Sequence, residues 1–208
     1  MNPDGLILSL PALDALVGWP RAVCDDQILG FDTRFLLWLH GWASPGLDRL
    51  MLGLTRLGDP VVVLPVVVLA LGWFLGRRRW REALMLLVSC TGALLLNQGL
   101  KVLFARPRPE LWPALIRESS YSFPSGHALG SLVLFGFLAA VLAHAYPHLA
   151  RWIGGLVSAL ILLIGLSRLY LGVHYPTDVA AGYAVGALWL VLCLRVLRRL
   201  QSADTREG

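Results

Sequence analysis

Three short polar stretches interrupt an otherwise apolar chain, and their residue types are those that handle phosphate esters. The first runs from Lys101 through Arg106 and Arg108 to Pro109, the second is Pro124-Ser125-Gly126-His127, and the third runs from Ser167 and Arg168 through His174 to Asp178. Cations of this kind neutralise phosphoryl oxygens, an imidazole attacks phosphorus or protonates a leaving oxygen, and a carboxylate orients an imidazole.

Each stretch has a chemical reading and a plainer one. Lys101 lies seven residues before Arg108, and Pro107 ends the helix between them, so both cations can fold back towards one point. The plainer reading is snorkelling to headgroups from a span end, and for Arg106 and Arg117, which no further pattern supports, that is the expectation. Pro124 to His127 opens a span whose free N–H groups suit an anion. Ser125 is a good cap that can also donate, and Gly126 permits close backbone approach; a simple capped turn is the alternative. His127 enters an apolar segment, where an imidazole needs a partner or a task, such as protonating a leaving oxygen. Its alternative is a hydrogen bond at the headgroup level.

In the third stretch Arg168 offers a fork for phosphate oxygens. His174 and Asp178 lie four apart. On a helical path the carboxylate would reach the imidazole, fixing one nitrogen as N–H and leaving the other as a nucleophile. Pro176 marks a helix start with Asp178 in the first turn; the alternative is a contact that closes a loop. Asn97, four residues before Lys101 on the same helix face, reads as a helix–helix contact, with support of Lys101 as the second option.

The elements that must position these residues are membrane spans. Of 208 residues 57% are hydrophobic and 15% charged, against roughly 45–50% and about 25% in soluble domains. The net charge of +5 comes from cations at the ends of apolar runs and forms no basic face with interleaved aromatics, which excludes nucleic acid as the partner. Cys24, Cys90 and Cys193 are far apart, so neither a disulfide framework nor a zinc site is expected.

The pattern predicts an all-α, polytopic transmembrane helix bundle forming one domain over 1–208: an amphipathic region over 1–57, a core bundle over 58–200 and a disordered tail over 201–208. Residues 6–19 are interrupted by Pro11 and Asp14 and do not read as a signal peptide; an interfacial helix is expected there, with a short sixth span as the alternative. Residues 22–34 read as a polar loop or cap. Two short amphipathic helices, broken at Pro45-Gly46, should occupy 35–57 on the membrane surface or against the bundle. Leu47, Leu50, Met51, Leu54 and Leu57 form their stripe, and Trp38 and Trp42 suit the headgroup zone. Five spans follow at 60–75, 83–104, 126–146, 152–166 and 179–197, with loops at 105–124 and 167–178. Arg77, Arg78, Arg79 and Arg81 put the first turn in the cytoplasm, which independently places all three polar stretches on the opposite face.

With these residues in place, the sequence resembles the type-2 phosphatidic acid phosphatase superfamily, whose motifs are Lys-x6-Arg-Pro, Pro-Ser-Gly-His and Ser-Arg-x5-His-x3-Asp. Lys101, Arg108 and Pro109, then Pro124 to His127, then Ser167, Arg168, His174 and Asp178 meet every position, and the likeness extends over about residues 48–197. Among members it resembles the compact bacterial phosphatidylglycerophosphate and undecaprenyl diphosphate phosphatases.

The resemblance implies that His174 attacks phosphorus to form a phosphohistidine, oriented by Asp178, and that His127 protonates the leaving oxygen and then activates water. It also implies that Lys101, Arg108, Ser125, Gly126 and Arg168 hold the phosphoryl oxygens without metal or other cofactor. A lipid phosphate or diphosphate would be the substrate, in a bacterial inner membrane with the site facing the periplasm or outside. Transfer of the phosphoryl group to another lipid, or lipid-phosphate transport without turnover, are the competing functions.

Overall fold

The structure is a computed structural model that describes residues 26–204, and it contains no strand among them. The helices are α1 (Asp26–His40), α2 (Pro45–Arg56), α3 (Pro60–Gly76), α4 (Trp80–Phe104), α5 (Gly126–Ala145), α6 (Ala150–Tyr170) and α7 (Pro176–Asp204), with a 3-10 turn at Pro147–Leu149 before α6. Helices α4, α5, α6 with its 3-10 turn, and α7 are long and apolar enough to cross a membrane. The pair α2 and α3, bent by 41°, meets the same test together. The first expected span is therefore the weakest, since α3 alone has 17 residues where a crossing takes roughly 20.

Helix α5 lies at the centre, against α4, α6 and α7. Hydrophobic burial cannot hold helices together in lipid, so close approach at small residues matters. A Cβ on Gly182 of α7 would stand 2.7 Å from the Ser125 carbonyl oxygen, and one on Gly165 of α6 would stand 2.0 Å from the Tyr183 hydroxyl. At one end of the bundle Phe74, Leu86, Phe137, Val141, Cys193 and Leu197 share a core, and Arg79, His144, Arg198 and Gln201 line one pocket. The arginine-rich turns thus gather at one end, and the three polar stretches gather at the other, at the C-termini of α4 and α6 and the N-termini of α5 and α7.

Several local expectations are corrected. Residues 26–34 are helical, because the carboxylate of Asp32 is fully buried on Arg106 and Thr177 and does not face solvent. The break between the short helices falls at Gly41–Ser44; Pro45 begins α2, where its missing N–H costs nothing, and Ser44 caps it by accepting from Leu47 N. Met51 is buried in a cluster with Tyr170, Leu171 and Val173, so α2 lies against the bundle, although Leu50 of the expected stripe is exposed. Ser167 and Arg168 belong to α6, which shortens the expected loop to 171–175. The tail is helical as far as Asp204, where Gln201 donates to Glu82 at 3.2 Å. The stretch 6–19, Cys24 and residues 205–208 lie outside the described residues.

Candidate active site

Helix ends and two loops build the site. Asp178 sits three residues into α7 after Tyr175, and its Oδ2 accepts from Tyr175 N at 2.8 Å, one half of a capping box. The same oxygen accepts a short hydrogen bond from the Ser122 hydroxyl and lies 3.5 Å from His174 Nδ1. The other ring nitrogen, Nε2, is 3.2 Å from Arg108 Nη1. A guanidinium can only donate, so Nε2 carries the lone pair and Nδ1 carries the proton towards Asp178. Burial pushes the His174 imidazole down to about 3; Arg108 and Arg168 reinforce this, and the Asp178 hydrogen bond opposes it. His174 is therefore a neutral imidazole with a lone pair aimed at a cation.

Lys101, Arg108 and Arg168 share partners. Lys101 Nζ donates to Ser120 Oγ and to the Tyr121 carbonyl, both at 2.8 Å. Arg108 reaches the same Ser120 Oγ at 3.2 Å and also holds the carbonyls of Ser120 and Val173 at 2.7 Å. Arg168, on α6, donates to Thr55 Oγ1 at 2.7 Å and makes a short bond to Glu118; Glu118 also lies 3.8 Å from Arg108. Burial alone would raise the Glu118 carboxyl, but Arg168 and Arg108 outweigh it and hold the group below its ordinary value.

Ser125 occupies the N-cap position of α5 without using its hydroxyl as a cap, contrary to expectation. Its Oγ and Arg168 Nε are buried without a hydrogen-bond partner, an arrangement that normally costs about 1–3 kcal/mol per group. Gly126 makes room for Asn97, whose Oδ1 would stand 3.1 Å from a Cβ there. Asn97 donates to the Pro124 carbonyl at 3.2 Å. It therefore supports the Pro-Ser-Gly turn, with its side-chain amide bonded to that turn.

Sequence reasoning missed five side chains: Arg106, Asp32, Ser122, Glu118 and Asp59. Arg106 does not snorkel: it is 1% exposed, donates to Asp178 Oδ1 at 2.5 Å, Asp32 Oδ2 at 2.8 Å and Thr177 Oγ1 at 2.7 Å, and stacks 4.3 Å above the Tyr175 ring. Asp32, Ser122 and Glu118 complete the network, and His127 Nε2 lies 2.8 Å from Asp59 Oδ1. These contacts join positions up to 145 residues apart, so no local pattern marks them. The one available signal was a carboxylate beside an apolar run, at Asp32 and Asp59. Among the described residues no three His, Cys, Asp or Glu side chains are grouped to hold a metal ion.

A buried imidazole, a carboxylate behind it and converging cations at one end of a membrane helix bundle define a phosphoryl-handling membrane enzyme, and the chain belongs to the PAP2 superfamily, which residues 82–202 match. It is a multi-pass membrane protein. It is 39% identical over 156 residues to phosphatidylglycerophosphatase B of Bacillus subtilis (strain 168), covering 72% of this chain and 74% of that protein. It is 31% identical over 175 residues to an undecaprenyl-diphosphatase of Sulfolobus acidocaldarius, covering 82% of this chain and 80% of the other. The fold matches the crystal structure of a transmembrane PAP2-type phosphatidylglycerolphosphate phosphatase from Bacillus subtilis with a TM-score of 0.81 and 30% identity, over 90% of this chain and 94% of that one.

Proposed function

We propose that this protein hydrolyses a lipid phosphate or diphosphate, without a metal, through a phosphohistidine on His174. The observation that carries the reading is the pair of contacts on one ring, with Nδ1 held by Asp178 and Nε2 turned to Arg108. Nε2 attacks phosphorus, the bond to the lipid oxygen breaks, and His127 gives that oxygen a proton; water then attacks phosphorus with His127 as base, and His174 leaves. Asp178, pinned by Arg106, Ser122 and Tyr175 N, stabilises the charge that develops on the ring.

Lys101, Arg108 and Arg168 neutralise the phosphoryl oxygens, and Ser125 Oγ and the Gly126 N–H add donors, the role a divalent ion takes in other phosphoryl-transfer sites. Glu118 and Ser120 supply the oxygens that these cations hold in the free enzyme, and a phosphoryl group would replace them. The relatives' names include a phosphate monoester and a diphosphate, and the grip suits both because it contacts only phosphoryl oxygens. A phosphatidylglycerophosphate-type monoester is our first choice of substrate, and the outer face of an inner membrane is our assignment for the site, from the arginine-rich opposite end.

Purified protein in detergent, given phosphatidylglycerophosphate, phosphatidic acid and undecaprenyl diphosphate with EDTA present, tests this. Chelator-resistant phosphate release from at least one lipid is expected. Release that requires an added divalent ion, or transfer to lipid without free phosphate, would overturn it.

A further inference from the structure

The α2–α3 turn, which carries none of the three motifs, presses on His127. A Cβ on Gly58 would stand 2.6 Å from His127 Cδ2 and 3.1 Å from Ile164 Cγ2, so the turn reaches the ring only because residue 58 lacks a side chain. Asp59 follows, at the N-cap of α3. An N-cap aspartate ordinarily accepts from the first-turn N–H groups, yet Asp59 makes no such side-chain bond; its Oδ1 lies 2.8 Å from His127 Nε2 instead. The turn is tied to the phosphate grip as well, because Thr55, whose carbonyl accepts from Gly58 N at 2.9 Å, takes Arg168 on its hydroxyl.

We propose that Asp59 is the positioning residue of His127: its carboxylate holds the Nε2 proton, so Nδ1 is the nitrogen that exchanges protons with the leaving lipid oxygen and with water. This rests on the reading in which His127 is the acid of the reaction. The imidazolium donates its Nδ1 proton as the phosphorus–oxygen bond breaks, and the neutral ring keeps Nε2–H on Asp59. In the second step Nδ1 takes a proton from the attacking water, the phosphorus–nitrogen bond breaks, and its electron pair returns to His174 Nε2. The two histidines are then mirror images, His174 held at Nδ1 by Asp178 and working through Nε2, His127 held at Nε2 by Asp59 and working through Nδ1. The charged groups around His127 are Asp59, Glu118 and Arg168. In the free enzyme Glu118 sits on the guanidinium of Arg168, and Asp59 is the carboxylate bonded to the ring.

The test compares Asp59→Asn and Asp59→Ala with His127→Ala and wild type on two probes, dioleoyl phosphatidic acid and p-nitrophenyl phosphate. The alkoxide of the first needs a proton to leave; the phenolate of the second does not. Asp59→Asn should lower kcat/KM on phosphatidic acid on the order of 10- to 100-fold, part of the roughly 10²–10⁴ that general acid catalysis supplies, with little loss of kcat/KM on the aryl ester, because kcat/KM ends at departure of the leaving group and leaves out the water attack common to both probes. Asp59→Ala should lose more on the lipid, and Asp59→Glu should restore part of it. Misfolding lowers both rates alike, so the ratio of the two is the readout. An unchanged ratio in Asp59→Asn beside a shifted ratio in His127→Ala would overturn the proposal and leave the role of His127 standing. An unchanged ratio in His127→Ala would overturn both.

Discussion

Arg106 and Arg108 stand two residues apart in the same proline-flanked loop, yet one is a structural clamp and the other is part of the proposed grip. Arg106 bridges two buried carboxylates, and breaking a buried ion pair from one side costs about 3–5 kcal/mol because the surviving charge is left unpaired. Arg106→Ala should therefore lower the melting temperature sharply and abolish activity. Arg106→Lys should rescue little, since an ammonium lacks the planar fork that spans Asp32 and Asp178 and stacks on Tyr175. Glu118→Gln removes the carboxylate that competes with phosphate for Arg168 and Arg108; a several-fold lower KM and tighter inhibition by orthophosphate are expected in steady-state assays. His174 gives a pH prediction. Its folded value of about 3 lies below the ordinary 6.5, so below pH 6.5 the unfolded chain takes up a proton that the folded ring refuses. Stability from this group is present above pH 6.5 and is lost as pH falls towards 3, and thermal melts of wild type against His174→Asn should show that component disappear. Lys101, Arg108, Arg168, His174 and Asp178 stood out in the sequence because each stretch has a short internal spacing and the alternation of spans puts the three stretches on one face. Arg106 did not, because its partners Asp32 and Asp178 lie far away in sequence on other helices.

At the scale of elements, the site is a set of helix ends held in register by packing that spacing cannot reveal. The spans from 83 to 197 were legible from apolar runs and basic turns, whereas the segment at 60–75 is long enough to cross only together with α2. The first half of helix α1 was not legible, because Asp26 and Asp32 gave it a polar composition, although the polarity of Asp32 is spent on Arg106 and on Thr177 at the start of α7. The α1 helix is thereby joined to the carboxylate that orients His174. The close fit of α7 on the Pro-Ser-Gly turn yields a sharper prediction. A methyl added at Gly182 meets the Ser125 carbonyl, a backbone atom that cannot swing aside, and overpacking of this kind costs about 1–3 kcal/mol. Gly182→Ala should lower both the melting temperature and kcat, since Ser125 N is also tied to the Asp178 carbonyl at 3.0 Å. Gly154→Ala, where an added Cβ meets nothing within 4 Å, should leave both unchanged.

Across the whole molecule, cations gather at both ends, and we assign those at one end to topology and those at the other to chemistry. Arg79, His144 and Arg198 gather at the first, and Lys101, Arg108 and Arg168 at the second. In a background without native cysteines, Leu115→Cys, exposed in the loop that carries Glu118 and Ser120, should react with a membrane-impermeant maleimide added outside intact cells, and Arg78→Cys should react only after lysis. The reverse pattern would invert the assigned orientation and leave the chemistry untouched. The proposed chemistry depends on one bond, between phosphorus and His174 Nε2. The most direct measurement is an alkaline quench of purified enzyme turning over phosphorus-labelled phosphatidic acid in EDTA, followed by peptide mapping. The account predicts label on the peptide that contains His174, present in wild type and absent from His174→Ala, which releases no phosphate. Full phosphate release by His174→Ala, or label carried on another residue, would contradict it.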